Sequence, residues 1–233
     1  MRRLYRRLLH AVDSHGLRGI LPQPAPVFNE PEAPHPFDLA HGTDTSGYVP
    51  GDKLTPANLY NTAYYAISPS SLTSALELLP EPTDTFTFLD LGCGKGRALL
   101  IAAQFPFPYV LGIEISPDLC GIAEINAHAN PRIEIRRLDA VTLTFPANPL
   151  VVFLYHPFLA TVLRRVLTNL ERHQRANPHP IYLLYANNTY PKVMSRFPFL
   201  EQVWEYSIPL SAEDAAADRH RITHERFTLY RAV

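Results

Sequence analysis

Between Phe86 and Ala103 the chain reads FTFLDLGCGKGRALLIAA: a strand-like apolar run, a glycine-rich turn and an apolar helical stretch in direct succession. Gly92, Gly94 and Gly96 stand at alternate positions, which lets the backbone turn sharply and come close to a ligand. A helix beginning near Arg97 aims free N–H groups and the positive end of its dipole into the same gap, a setting for a polar or anionic group. Spacing weakens two common phosphate-binding loops. A dinucleotide loop needs G-x-G-x-x-G, and Arg97 stands where the last glycine belongs; a P-loop continues into Lys-Ser/Thr, and here Arg97 and Ala98 follow Gly96. A nicotinamide oxidoreductase is disfavoured on that ground.

What stands is D-x-G-x-G-x-G from Asp90 to Gly96. It resembles the first motif of the class I, seven-strand S-adenosylmethionine-dependent methyltransferases, and the resemblance implies S-adenosylmethionine as cofactor, held by Asp90, Gly92, Gly94 and Gly96. Such a protein also places an acid at the end of the second strand to accept hydrogen bonds from the ribose hydroxyls. Glu114, followed by Ile115 in VLGIEIS, occupies that place, and a carboxylate accepts such bonds strongly. After the third strand, Asp139 and Ala140 in IRRLDAV match the element beside the adenine. Any one of these acids alone could equally cap a helix or sit in a solvated loop.

Tyr155, His156, Pro157 and Phe158 end the fourth strand. They are similar to the Asn/Asp-Pro-Pro-aromatic motif of amino-methylating members, which implies Tyr155, His156 and Pro157 beside the methyl acceptor. His156 replaces the amide or carboxylate and one proline is missing. An imidazole titrating near pH ~6.5 also suits a general base, or simply ends a strand. Upstream, residues 44–69 carry Tyr48, Tyr60, Tyr64 and Tyr65, enough aromatic surface for a lid or for packing on the sheet edge. Tyr65 and Ser68 match loosely the Tyr and Ser/Thr-Pro element that approaches the methionine end of the cofactor in similar bacterial and protein-lysine methyltransferases.

The elements that must position these residues alternate from residue 69 onward, as a parallel sheet covered on both faces requires. Strands are expected at Phe86–Leu91, Tyr109–Ile115, Ile133–Leu138, Leu150–Tyr155 and Ile181–Ala186, with two more near Gln202–Ile208 and Phe227–Ala232. Ser68-Pro69 and Ser116-Pro117 each supply an N-cap and a first-turn proline for helices through Leu79 and about His128. Leu159, Val162, Leu163, Val166, Leu167 and Leu170 recur at helical spacing, with Arg164 and Arg165 facing away. The fold class is therefore α/β: a doubly wound, mostly parallel seven-stranded sheet with helices on both faces. Residues 1–59 form an extension: an amphipathic helix over 2–16, a proline-rich arm in which Pro22 to Pro36 forbid helix or central strand, and the possible lid. Residues 60–233 form the methyltransferase domain.

Composition narrows the function further. Twenty-one Lys+Arg against 22 Asp+Glu give a net charge of -1, so no global field draws the chain to nucleic acid, and no nucleic-acid partner is expected. No apolar run suits a membrane span. Cys93 and Cys120 show no metal or disulfide spacing and the amino-terminal residues no apolar leader, so a cytoplasmic protein without a metal is expected. The acceptor expected is a nitrogen of a protein side chain or small amine. The alternatives are O-methylation of a small phenol or acid, with His156 or His220 as base, and a non-catalytic S-adenosylmethionine-binding protein.

Overall fold

The computed structural model describes residues 33–54 and 62–233; the predicted helix over 2–16, most of the proline-rich arm and Tyr60 lie outside them. In chain order the described elements are α1 (Pro36–His41), β1 (Tyr48–Val49), α2 (Gly51–Leu54), β2 (Tyr64–Tyr65), α3 (Pro69–Glu77), β3 (Thr87–Leu91), α4 (Arg97–Ala102), β4 (Tyr109–Glu114), α5 (Pro117–Ala127), β5 (Ile133–Arg137), β6 (Leu150–Tyr155), α6 (Ala160–Ala176), β7 (Ile181–Ala186), α7 (Pro191–Met194), β8 (Leu200–Pro209), α8 (Ala212–Ala217) and β9 (His224–Ala232). Seven of the strands form one sheet in the order β5-β4-β3-β6-β7-β9-β8, and β1 pairs separately with β2. β3 to β7 run parallel, while β9 is antiparallel to both β7 and β8. The doubly wound α/β sheet expected from the sequence is the fold observed.

Alternation along the central strands makes two cores. Leu89 and Leu91 of β3 and Leu183 and Tyr185 of β7 pack with Leu163, Val166, Leu167 and Leu170 of α6. Phe88 of β3 and Tyr182 and Leu184 of β7 face Leu72, Ala75 and Leu76 of α3 and Ala98, Leu99 and Ile101 of α4. Every β3 residue is buried, as a central parallel strand demands. The strand order reverses at β3, flanked by β4 and β6, and a sheet of this type opens its ligand crevice outside the carboxyl ends of the strands at that reversal.

Two local expectations fail for identifiable reasons. Pro36 does not exclude helix: it occupies the first turn of α1, where its missing N–H costs nothing. Ser68 precedes α3 but its hydroxyl makes no capping bond, whereas the Ser116 hydroxyl accepts the Leu119 N–H at 3.5 Å.

Residues 33–49 are fastened to the main sheet's first βα turn by a buried ion pair that the sequence pattern did not reveal. Arg97, 5% exposed, directs Nη2 to Asp38 Oδ2 at 3.4 Å and Nε to Thr45 Oγ at 2.7 Å. A cation in a helix's first turn opposes the helix dipole and needs a counter-charge. Asp38 supplies it while accepting from the Thr43 hydroxyl at 2.8 Å and from the Thr45 N–H and hydroxyl at 2.9 and 2.6 Å. Lys95 adds bonds to Asp44 at 2.8 Å and the Ser46 carbonyl at 2.7 Å.

These contacts predict an asymmetry. Asp38→Ala leaves a buried guanidinium without a counter-charge and should cost about 3–5 kcal/mol. Arg97→Met leaves Asp38 with its other donors and should cost less. Urea unfolding of both variants checks this; a larger loss for Arg97→Met, or two losses below about 1 kcal/mol, would contradict the tether.

Candidate active site

The glycine turn between β3 and α4 holds Gly92, Gly94 and Gly96 at φ of 86°, 56° and 88°, a region that L side chains enter only at a cost. The Gly92 N–H donates to the Ile113 carbonyl at 2.7 Å and the Gly96 N–H to the Cys93 carbonyl at 2.9 Å. Glu114, at the end of β4, ties the turn to the neighbouring strand. Its Oε2 accepts the Gly94 N–H at 2.9 Å, and its Oε1 accepts the N–H groups of Ile115 and Ser116, both at 2.8 Å.

A cavity opens at these strand ends. Asp90, Gly92 and Gly94 line it from β3; Glu114 and Ile115 from β4; Asp139, Ala140 and Val141 from beyond β5; Tyr155, Pro157 and Phe158 from the end of β6; and Tyr64 and Tyr65 from β2. Ten of the thirteen residues singled out in the sequence therefore share one cavity wall.

Two of the glycines also make room for protein. A Cβ at Gly92 would lie 2.5 Å from Pro157 Cβ, and one at Gly94 would lie 2.2 Å from Tyr64 Cε2. The Tyr64 hydroxyl donates to the Thr45 carbonyl at 2.7 Å, so its ring is fixed over the turn by the same segment that Arg97 tethers. Gly96, Ser68 and His156 are outside the cavity wall. Gly96 is the left-handed N-cap of α4, and Ser68 is buried at the start of α3. His156 is itself left-handed, at φ 47°. Its carbonyl accepts the Thr62 hydroxyl at 2.8 Å, while its ring meets the Thr189 hydroxyl at 2.8 Å and stacks on Tyr190 with centroids 5.7 Å apart. That turn leaves Tyr155 and Pro157 on the cavity and sends the imidazole to the loop after β7.

Residues 88–177 match a family described as a methyltransferase domain, and those residues contain the glycine turn, Glu114, Asp139 and the end of β6. The match takes in less than half of the chain and likens that stretch to a methyltransferase domain. Among solved structures similar to this chain is TrmN from Thermus thermophilus, 20% identical with a TM-score of 0.52 over 72% of this chain and 49% of that one. This chain thus spans about half the length of that TrmN structure. The N-methyltransferase NodS from Bradyrhizobium japonicum is 16% identical, TM-score 0.51, over 70% of this chain and 94% of its own. A SAM-dependent methyltransferase from Leishmania major is 11% identical, TM-score 0.53, over 70% of each chain. At these identities the likeness is one of fold. No curated protein matches the sequence.

The residues around the cavity fit S-adenosylmethionine. Asp90 is 3% exposed, and among the described residues its carboxylate makes no hydrogen bond; burial, then the charge of Glu114, pushes its pKa well above the usual carboxylate range. An unpartnered acid beside a glycine cradle suits a ligand carrying N–H or O–H donors. Burial also raises the pKa of Glu114, opposed by its three backbone N–H bonds. Those bonds occupy three of the roughly four lone-pair sites of a carboxylate, leaving room for one ribose hydroxyl where the sequence suggested two. Asp139 uses Oδ1 to cap Val141 N–H at 2.9 Å, so it is a cap as well as a wall residue.

Sequence inspection gave Tyr64 only as one of four tyrosines for a lid or sheet-edge packing, and it missed the Arg97–Asp38 pair and the buried acids Asp218 and Glu225. The only available signal was Arg97 in a helix's first turn. Glu225, between His224 and Arg226, reads as part of a solvated charge run, yet it is 1% exposed.

The contact at Gly94 predicts that Gly94→Ala displaces Tyr64 and costs at least about 1 kcal/mol from the left-handed backbone alone. Adding Tyr64→Ala should recover the steric part, seen as a favourable coupling in a double-mutant cycle of unfolding free energies. Strict additivity would show that Tyr64 does not rest on the turn.

Proposed function

We propose that this chain is an S-adenosylmethionine-dependent methyltransferase that transfers the methyl group to a nitrogen, of a protein side chain or a small amine. The observation that carries the proposal is the acceptor-side wall, where Tyr65, Tyr155 and Pro157 stand together beside the glycine turn. A nitrogen acceptor brings its own lone pair once it has lost a proton. An alcohol or phenol needs a positioned base; His156 faces the loop after β7 instead, and the His220 ring packs edge-on against Tyr65 at 5.5 Å without lining the cavity.

In the proposed arrangement the Gly92–Gly96 turn and Asp90 hold the amino-acid end of the cofactor, Glu114 the ribose, and Asp139 with Ala140 the adenine. When bound, the cofactor supplies an electrophilic methyl on a positively charged sulfur. Tyr65 and Tyr155 would flank the acceptor nitrogen and orient its lone pair toward that methyl group. A lysine-like amine with a pKa near ~10.4 must first give up a proton to solvent at about pH 7, costing roughly 4.6 kcal/mol. Pro157 against Gly92 fixes the end of β6, so the acceptor side and the cofactor turn stay in register.

Among the described residues no helix is long and apolar enough to cross a membrane. Cys93 and Cys120 are both free and buried, which suits the reducing cytoplasm in which we place the protein. Its near-zero net charge supports a protein or small-molecule acceptor over a polynucleotide.

Calorimetry with S-adenosylhomocysteine tests the cofactor assignment. Hydrogen bonds to a charged group contribute about 1.5–3 kcal/mol each, and Glu114 also shapes the turn, so Glu114→Ala should weaken binding by on the order of a hundredfold while Cys93→Ala stays within a few fold. Equal affinities would refute the role of Glu114. A labelled-methyl assay over amines, phenols and acids should then label amines first; exclusive labelling of oxygen would overturn the proposal.

A further inference from the structure

The acceptor-side wall has a second layer that the chemistry above does not use. The Tyr65 hydroxyl donates to Asp218 Oδ2, and Asp218 Oδ1 accepts the backbone N–H groups of His220 and Ile222 at 2.8 and 3.1 Å. The Tyr155 hydroxyl donates to Glu225 Oε1 at 2.7 Å, and Glu225 Oε2 meets the Ser71 hydroxyl. Asp218 and Glu225 are 7% and 1% exposed, and the two tyrosine rings lie 6.5 Å apart. Elements distant in sequence thus build two adjacent tyrosine–carboxylate pairs.

Three consequences follow from that arrangement. With its proton committed to a carboxylate, neither hydroxyl is free to donate to an anionic or carbonyl oxygen of an acceptor. The buried acids make both phenols more electron-rich, and aromatic rings already attract cations. In a weakly screened interior their negative charge extends to the cavity. Of the cations around the cavity, Arg97 is engaged with Asp38, Thr45 and Ser46 and Arg219 lies over the Tyr48 ring at 4.9 Å, while Arg165 of α6 lines the wall beside Val162 and Phe158.

We infer that Asp218 and Glu225 are specificity-determining positioning residues, which act through Tyr65 and Tyr155 to make the cavity select a cationic amine over a neutral alcohol or a carboxylic acid. The inference rests on the methyltransferase reading and names the acceptor class of the same site. Protein-lysine side chains and free alkylamines share this chemistry.

The selectivity carries a pH signature. Burial raises the pKa of Glu225 to about 7, against the opposing bonds from Ser71 and Tyr155. The groups that face it are Ser71 and the Ser68 backbone from α3, Tyr155 from β6, Tyr65 from β2 and Asp218 from the α8–β9 connection. Glu225 gains its charge as pH rises through about 7, while an alkylamine stays protonated to about pH 10. Affinity for the amine should therefore increase with pH across that window.

The test uses the full chain saturated with S-adenosylhomocysteine and titrated calorimetrically with butylamine, butanol and butyrate. Butylamine should bind at least about tenfold tighter than butanol, with butyrate weakest. Glu225→Gln preserves an acceptor for Tyr155 but removes the charge. It should reduce butylamine affinity about five- to tenfold and abolish its rise with pH, leaving S-adenosylhomocysteine affinity within about twofold. Asp218→Asn should lower butylamine affinity in the same direction and provides the result if the Glu225 variant does not fold. Equal binding of butanol and butylamine, or variants with unchanged amine affinity and pH slope, overturns the inference and leaves the methyltransferase reading intact. Failure of the wild type to bind S-adenosylhomocysteine overturns both.

Discussion

The site depends on one carboxylate accepting three backbone N–H groups. Glu114 gathers the N–H of Gly94 from one loop and those of Ile115 and Ser116 from the next, so the turn after β3 and the turn after β4 cannot move independently. Desolvating an acid is costly, and those three donors are what make it bearable in a site where Glu114 is only 7% exposed. Asp90, buried close by without comparable donors, carries the remaining electrostatic strain, which raises its pKa well above the usual carboxylate range. Perturbed acids at the strand ends of a doubly wound sheet are a recurrent mark of a functional cleft.

Around that staple the cavity is assembled from three separately anchored walls. The turn and Asp139 form the side proposed for the cofactor. Tyr64 closes over Gly94 because its hydroxyl reaches Thr45, and Thr45 is itself held by Asp38 and Arg97. Pro157 closes over Gly92 from the other side. The glycines thus serve the packing of the protein on itself as much as the approach of a ligand, and residues 33–49 are built into the domain by a buried ion pair. The acceptor wall is anchored at greater depth, by Asp218 and Glu225 behind Tyr65 and Tyr155.

The sheet was legible because its signals are local. Buried parallel strands read as continuous apolar runs, and β6 and β7 begin and end at the residues expected. The clustering of the turn, Glu114 and Asp139 on one cavity was legible for the same reason, since each sits at a strand end fixed by short-range pattern. What the sequence hid depends on distant partners. Arg97 meets Asp38 across 59 residues and Tyr155 meets Glu225 across 70, and no periodicity announces such pairs. His156 was misleading for a different reason: its neighbours Tyr155 and Pro157 face the cavity, but a left-handed backbone at φ 47° aims its own ring elsewhere, and dihedral angles of that kind are invisible in a residue string. Pro36 shows the converse error, composition overriding position: a proline-rich run forbids helix in its interior but not a helix that starts on its last proline.

The most direct measurement follows the methyl group itself. S-adenosylmethionine carrying a carbon-13 methyl is incubated with the full chain and butylamine, and the methyl resonance is recorded by NMR. The account predicts that the sulfonium methyl signal declines as an N-methyl signal grows, at a rate that Glu225→Gln reduces. A signal that moves to an O-methyl position when butanol or butyrate is offered instead, or that stays on sulfur with every acceptor while the folded protein binds the cofactor, would contradict it.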